Sequence, residues 1–206
     1  VNVELPIYID RAIDIGCHEG YPGHHVYNML LEQHLVNERH WQEFSVYPLF
    51  SPESLVAEGS ANYGIEIAFP PAERRRFEHD VLYPAAGIDP ALVDKYDALL
   101  ALSGELGYAG NEAARGYLDG TMTRDQAIAW LVEVGLSRQD KAEQAIKFYD
   151  GMRSYVVNYN VGKDLVKAYV ERESQGAASD EERERKRWQA FEKLLSSPRL
   201  PDDLKP

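Results

Sequence analysis

The step Pro22-Gly23 constrains this chain most. It lies inside Cys17-His18-Glu19-Gly20-Tyr21-Pro22-Gly23-His24-His25, between two stretches with helical periodicity. Before it, Ile9, Ala12, Ile13 and Gly16-Cys17 recur at helical spacing, which predicts a helix over about Tyr8 to Tyr21. After it, Val26, Met29, Leu30 and Leu35 form the apolar stripe of a second helix, about His24 to Glu38. Proline lacks an amide hydrogen and clashes with the preceding turn, and glycine accepts dihedrals that other residues refuse. Two helices must meet at this break, and the residues beside it are brought together.

The rest of the chain is punctuated in the same way. Ser51-Pro52-Glu53-Ser54 reads as a helix start, with Ser51 as cap, and that helix runs to about Phe69 before Pro70-Pro71. A short helix over about Ala72 to Leu82 carries Arg74-Arg75-Arg76, read as a surface cluster. Asp89-Pro90 opens another, with Leu92, Val93, Tyr96, Leu99, Leu100 and Leu102 on its expected buried side. Further helices are expected over about Glu112–Leu118, from a cap at Thr123 with Gln126 at the capping-box position, and from a cap at Ser137 to about Val156. Val161–Glu173 and Asp180–Leu195 are the last two. Only Val1 to Ile7 alternates as an edge strand would. The expected fold class is all-α, an irregular multi-helix bundle over residues 1–206. Gly176-Ala177-Ala178-Ser179 is read as a joint before a peripheral C-terminal helix and tail, 176–206.

The chain has 206 residues and a formal net charge of −12, which argues against nucleic acid, since phosphate binding needs a basic face. No apolar run approaches the roughly 20 residues of a membrane span. A single cysteine, Cys17, forbids a disulfide within the chain and leaves the compartment open. The chain begins Val1-Asn2-Val3 without Met, so an upstream part is expected to be missing. Oligomeric state is not legible.

Four of the six histidines, His18, His24, His25 and His34, fall within seventeen positions. Imidazole and carboxylate are the usual nitrogen and oxygen ligands of a zinc-type ion, and a Glu directly after a ligand His is where a metallohydrolase keeps its general base. Glu19 holds that place. A regular helix cannot build this site, because Pro22 stands four residues after His18, where the second histidine belongs. His24 would lie about 240° round from His18, and His25 roughly 10 Å along the axis. A distorted turn at Pro22-Gly23 is needed to bring His24, or less directly His25, beside His18. A third ligand should come from the helix after Pro52, where Glu58 sits among small residues in Val56-Ala57-Glu58-Gly59-Ser60-Ala61-Asn62-Tyr63. A carboxylate on such a face needs a partner, because burying it free is costly. Asn62, one turn on, or Asp14, four before His18, would fix the tautomer of a ligand histidine. Glu66, His34, His40 and His79 read as ordinary surface or packing residues, and Cys17 as a packed side chain.

His-Glu-Gly-Tyr-Pro-Gly-His-His, followed by Glu58-Gly59-Ser60-Ala61-Asn62-Tyr63, resembles the bacterial family filed as domain of unknown function 885. Its members are all-α proteins regarded as zinc metallopeptidases similar to gluzincins, which hold zinc with two His and one Glu. The family pattern is HExxPGHH, then an EGWAxY-type motif, then a late Tyr-x-x-Gly segment. The resemblance implies His18, His24 and Glu58 as zinc ligands and Glu19 as base. Ser60 stands where the family has Trp, which alters the implied pocket wall. Family members are usually much longer, so the resemblance implies that this chain corresponds to a C-terminal catalytic portion, with an N-terminal lobe expected to be missing.

The late segment Arg153-Ser154-Tyr155-Val156-Val157-Asn158-Tyr159-Asn160-Val161-Gly162 offers an oxyanion donor and a cation for a substrate carboxylate. Tyr159 is the chosen donor, Tyr155 the alternative, and Arg153 the carboxylate partner; Lys163 and Asn111 are further candidates for the pocket. The leading expectation is a zinc-dependent hydrolase acting on peptides. The alternatives are a metal-bearing domain that binds a peptide or protein without turnover, and a helical scaffold without metal. The aromatic loop Trp41 to Phe50 reads equally as an apolar wall or as core packing.

Overall fold

The computed structural model describes residues 8–9 and 11–205. Among them every regular element is helical and none is a strand, as the periodicity predicts. The expected strand over Val1 to Ile7 lies outside the described residues. Helices α1 (Arg11–Ile15), α2 (His24–Leu31), α3 (Glu53–Ala68), α4 (Pro71–Phe77) and α5 (Tyr83–Ala85) form the first half. Helices α6 (Val93–Glu105), α7 (Gly107–Leu118), α8 (Arg124–Glu133), α9 (Gln139–Met152), α10 (Val161–Glu173) and α11 (Asp180–Leu195) complete it.

Helix α3 is the axis of the main core. Val56, Ala57, Tyr63 and Ile67 from α3 pack with Tyr27 and Leu31 of α2, Val166 and Val170 of α10, and Phe191, Leu194 and Leu195 of α11. A second cluster joins α7, α8 and α9 through Ala113, Ala114, Ala127, Leu131, Ala142 and Ile146. The small residues of α3 are used on two sides. A Cβ at Gly59 would stand 2.4 Å from the Gly162 backbone carbonyl carbon, so α3 and α10 touch backbone to backbone. A Cβ at Gly64 would stand 2.9 Å from Pro22 Cγ, so the Pro22 turn seats against the same helix. Two ion pairs from Glu66, to Lys163 Nζ at 2.6 Å and to Lys167 Nζ at 2.9 Å, tie α3 to α10 along their exposed edge.

Several local expectations are corrected. Ser51 does not cap α3; its hydroxyl is buried without a hydrogen-bond partner, and Pro52 stands at the cap position. Ser137 does not cap α9, whose cap residue is Arg138. The capping box of Thr123 and Gln126 forms as predicted. The C-terminal helix and tail are not peripheral: Phe191, Leu194 and Leu195 of α11, and Leu204 beyond it, are part of the main core. Arg74 is not a loose surface charge, since it is held between Asp14 at 2.6 Å and Glu78 at 2.9 Å. On α6 only Val93 is buried, while Leu99 and Leu102, with Leu92 just before the helix, are exposed beside a cavity of about 600 Å³ that Tyr8 and Ile88 also line. The apolar stripe of α6 was legible, but it is covered only in part: Val93 is buried, Tyr96 and Leu100 are half-buried, and Leu99 and Leu102 are exposed.

Two outcomes test this packing. Gly59→Ala forces a methyl into rigid backbone and should lower stability by about 1–3 kcal/mol in urea unfolding. Burial alone would raise the Glu66 carboxyl, yet Lys163 and Lys167 hold it below its ordinary value. A depressed folded pKa adds stability above the unfolded value and loses it as pH falls. Glu66→Gln should therefore be less stable than the parent at pH 7, and thermal melts of the two should converge in the acid range.

Candidate metal centre

The histidine segment is not one broken helix but three pieces. Helix α1 opens into a wider π turn over Gly16–Gly20, which carries His18 and Glu19. The chain then reverses through Tyr21 to Gly23 and starts α2 at His24. The amide of Gly23 donates to the Cys17 carbonyl at 3.0 Å, folding the turn back on itself. A Cβ at position 23 would lie 1.8 Å from the His18 carbonyl oxygen, so only glycine fits. The distortion that the spacing demanded is thus present, and it begins six residues earlier than Pro22. It sets the His18 and His24 rings edge to face with centroids 4.6 Å apart.

Glu58 meets them from α3. Its Oε2 lies 3.3 Å from His18 Nε2 and 3.6 Å from His24 Nε2. One ligand atom from each of the three residues falls within 4.8 Å of the others. Zinc bonds of about 2.0–2.2 Å at tetrahedral angles place neighbouring ligand atoms roughly 3.4 Å apart, so these separations suit one ion. Glu58 is 7% exposed, and Oε2 is fully buried without a hydrogen-bond donor. A buried carboxylate oxygen left in that state is costly and calls for a cation. Burial alone would raise the Glu58 carboxyl, but the His18, His24 and Tyr155 contacts bring it down to about 2. The same Glu58 contact raises the His18 pKa against the opposing effect of burial. The centre therefore attracts positive charge, as a proton on imidazole or as a metal ion.

Asn62 decides how His18 presents itself. Its Nδ2 donates to the Tyr159 carbonyl at 2.8 Å, which leaves Oδ1 to face His18 Nδ1 at 3.0 Å. With Oδ1 accepting, the proton sits on Nδ1 and the Nε2 lone pair points at the Glu58 side. Asp14, the other candidate for this task, is instead bound to Arg74. His25, one residue beyond His24, is exposed and takes no part in the cluster.

Glu19 stands on the open side, with its side chain 62% exposed and Oε1 4.0 Å from His18 Nε2. Tyr159 is 38% exposed, its ring stands 5.9 Å from that of Tyr155, and its phenol pKa is raised by partial burial and by the charges of Glu58 and Glu19. Tyr155 is buried, and its hydroxyl donates to Glu58 Oε1 at 2.8 Å, so it is committed to the carboxylate and does not face a substrate. Arg153 does not join this group. It lines a separate cavity of about 570 Å³ with Asn111, Arg115 and Val157, and none of His18, Glu19, His24 or Glu58 lines it. The reason is a backbone break: α9 stops at Met152, and Arg153 takes φ 55°, which turns the following 3-10 segment Arg153–Asn158. Lys163 is held by Glu66, away from the centre. Ser60 is fully buried and donates to the Ala57 carbonyl, so it walls no open pocket.

The sequence reading missed two links, Tyr155 to Glu58 and Asn62 to the Tyr159 carbonyl. Each spans 97 positions, and no local spacing signals them. In the aromatic loop, Phe44 packs on the core, whereas Phe50 is exposed and its ring leans on Tyr155 at 6.1 Å. Fold and geometry together define an all-α protein with a candidate His-His-Glu metal centre. No family model, curated protein or solved structure matches the chain. What the centre does must be argued from its own atoms.

His24→Ala should abolish stoichiometric metal uptake measured on dialysed protein, whereas His25→Ala should retain it. Equal loss in both variants would mean that the wrong histidine has been assigned.

Proposed function

We propose that the protein is a zinc-dependent hydrolase and, most simply, a metallopeptidase. The observation that carries this reading is the convergence of His18, His24 and a buried, unsatisfied Glu58 oxygen, with Glu19 directly beside them on the accessible side. The donor set of two imidazoles and one carboxylate is that of a catalytic zinc site, which leaves a position open. The resemblance of His18–His25 and Glu58–Tyr63 to the gluzincin-like family points the same way.

When bound, zinc would lower the pKa of water toward about 7 and polarise a scissile carbonyl. The residues of the chain divide the remaining work. Glu19, exposed and unencumbered by a strong partner, takes the proton of the attacking water and passes it to the leaving amine. Tyr159, partly exposed, donates its hydroxyl to the oxyanion that develops on the carbonyl oxygen. Asn62 keeps the His18 proton on Nδ1, so that Nε2 is free to bind. Tyr159 is held in register with this group because Asn62 also binds its carbonyl.

Glu19→Gln keeps the size of the side chain and removes the base. Peptide cleavage should fall by about 10²–10⁴-fold while zinc content stays stoichiometric. Undiminished cleavage would remove Glu19 from this role. Stoichiometric zinc in the parent with no cleavage of any peptide in a broad library would favour the alternative, a metal-bearing helical domain that binds peptide without turnover.

A further inference from the structure

A carboxylate can bind a metal through one oxygen or through two, and the choice alters coordination number and geometry. The two oxygens of Glu58 stand in different environments. Oε1 accepts the hydroxyl of Tyr155 at 2.8 Å, a contact between two buried side chains. Oε2 has no donor and is the oxygen that both histidines face, at 3.3 and 3.6 Å. Tyr155 is itself fixed. Its ring is 6% exposed, with Phe50 6.1 Å away and Tyr159 5.9 Å away, both edge to face. It belongs to the 3-10 segment Arg153–Asn158, whose last residue, Asn158, is also buried. Beyond it Asn62 grips the Tyr159 carbonyl, so the segment is tied to α3 at both Glu58 and Asn62, one helical turn apart. The hydroxyl therefore cannot drift from Oε1 without moving a buried ring and a clamped backbone.

We infer that Tyr155 is a positioning residue that makes Glu58 a single-oxygen metal ligand, by occupying Oε1 and leaving Oε2 alone to bind. This rests on the metal-centre reading above. It assigns to Tyr155 a role different from substrate contact. A single-oxygen Glu58 gives three ligand atoms, which suits a four-coordinate zinc-type ion with one open position; a two-oxygen Glu58 would fill a further position and suit larger, higher-coordinate ions. Removing the hydroxyl leaves Oε1 buried and unpaired, and its nearest remedy is to swing onto the metal.

The test uses Co²⁺ and Zn²⁺ on the full chain. Wild-type protein should bind one Co²⁺ with the intense visible bands of a four-coordinate ion. Tyr155→Phe should bind 10–100-fold more weakly in chelator competition, as expected for loss of an outer hydrogen bond to a ligand, and its Co²⁺ bands should weaken toward a higher-coordinate form. Far-UV circular dichroism and the metal-free melting temperature establish that the variant folds; Tyr155→Met, similar in volume and without a donor, replaces it if it does not. In a Glu58→Gln background the Tyr155 substitution should have no further effect on metal affinity, which a general structural defect would not respect. If wild-type protein binds neither ion, the metal-centre reading itself fails. If wild type binds and the Tyr155 variant matches it in affinity and spectrum, the metal centre stands and the role given to Tyr155 is overturned.

Discussion

The buried oxygen of Glu58 is the constraint on which the rest of the site depends. A carboxylate 7% exposed, with one oxygen lacking any donor, is unfavourable in a protein interior unless positive charge comes to it. The surroundings are arranged to supply or admit that charge. Two imidazoles face the orphan oxygen, a tyrosine holds the other, and an asparagine turns one imidazole so that its lone pair looks inward. A buried acid among Ala, Gly and Ser is costly unless it is paired, and His18, His24 and Tyr155 are the groups that meet it.

Close packing of backbone is what makes this arrangement rigid. Gly59 lets α10 lie against α3, and the residues just before α10 bring Tyr155 to Glu58 and the Tyr159 carbonyl to Asn62. Gly64 lets the Pro22 turn seat on the same helix, and Gly23 lets that turn fold back toward His18. Three glycines at three contacts thus bring two distant segments to one turn of α3. The cost of Gly59 and Gly64 in helix stability, about 1 kcal/mol each, is offset by the contacts they permit.

Much of this was legible in the residues. The helical period, the proline and glycine breaks and the Thr123 cap located most helices, and the impossibility of pairing His18 with His24 on a straight helix demanded a distorted turn. Glu58 could be singled out because an acid among Ala, Gly and Ser is out of place on an exposed face. Asn62 was within reach because one helical turn separates it from Glu58. Long-range choices were not legible. Whether Asp14 or Asn62 serves His18 depends on Arg74, sixty positions away from Asp14, which takes the aspartate. Arg153 looked adjacent to Tyr155 and Tyr159 in sequence, but a single residue at φ 55° sends it to another cavity. The stripe on α6 was read as core because periodicity reports a face and not what covers it.

The central claim is that His18, His24 and Glu58 hold one zinc ion while Glu58 uses a single oxygen. Zinc-edge X-ray absorption of the stoichiometrically loaded protein tests it most directly. The account predicts two imidazole nitrogens at about 2.0–2.1 Å and carboxylate oxygen at about 2.0–2.2 Å in a low-coordinate shell. A shell without imidazole scattering, or protein that retains no zinc after mild dialysis, would contradict it.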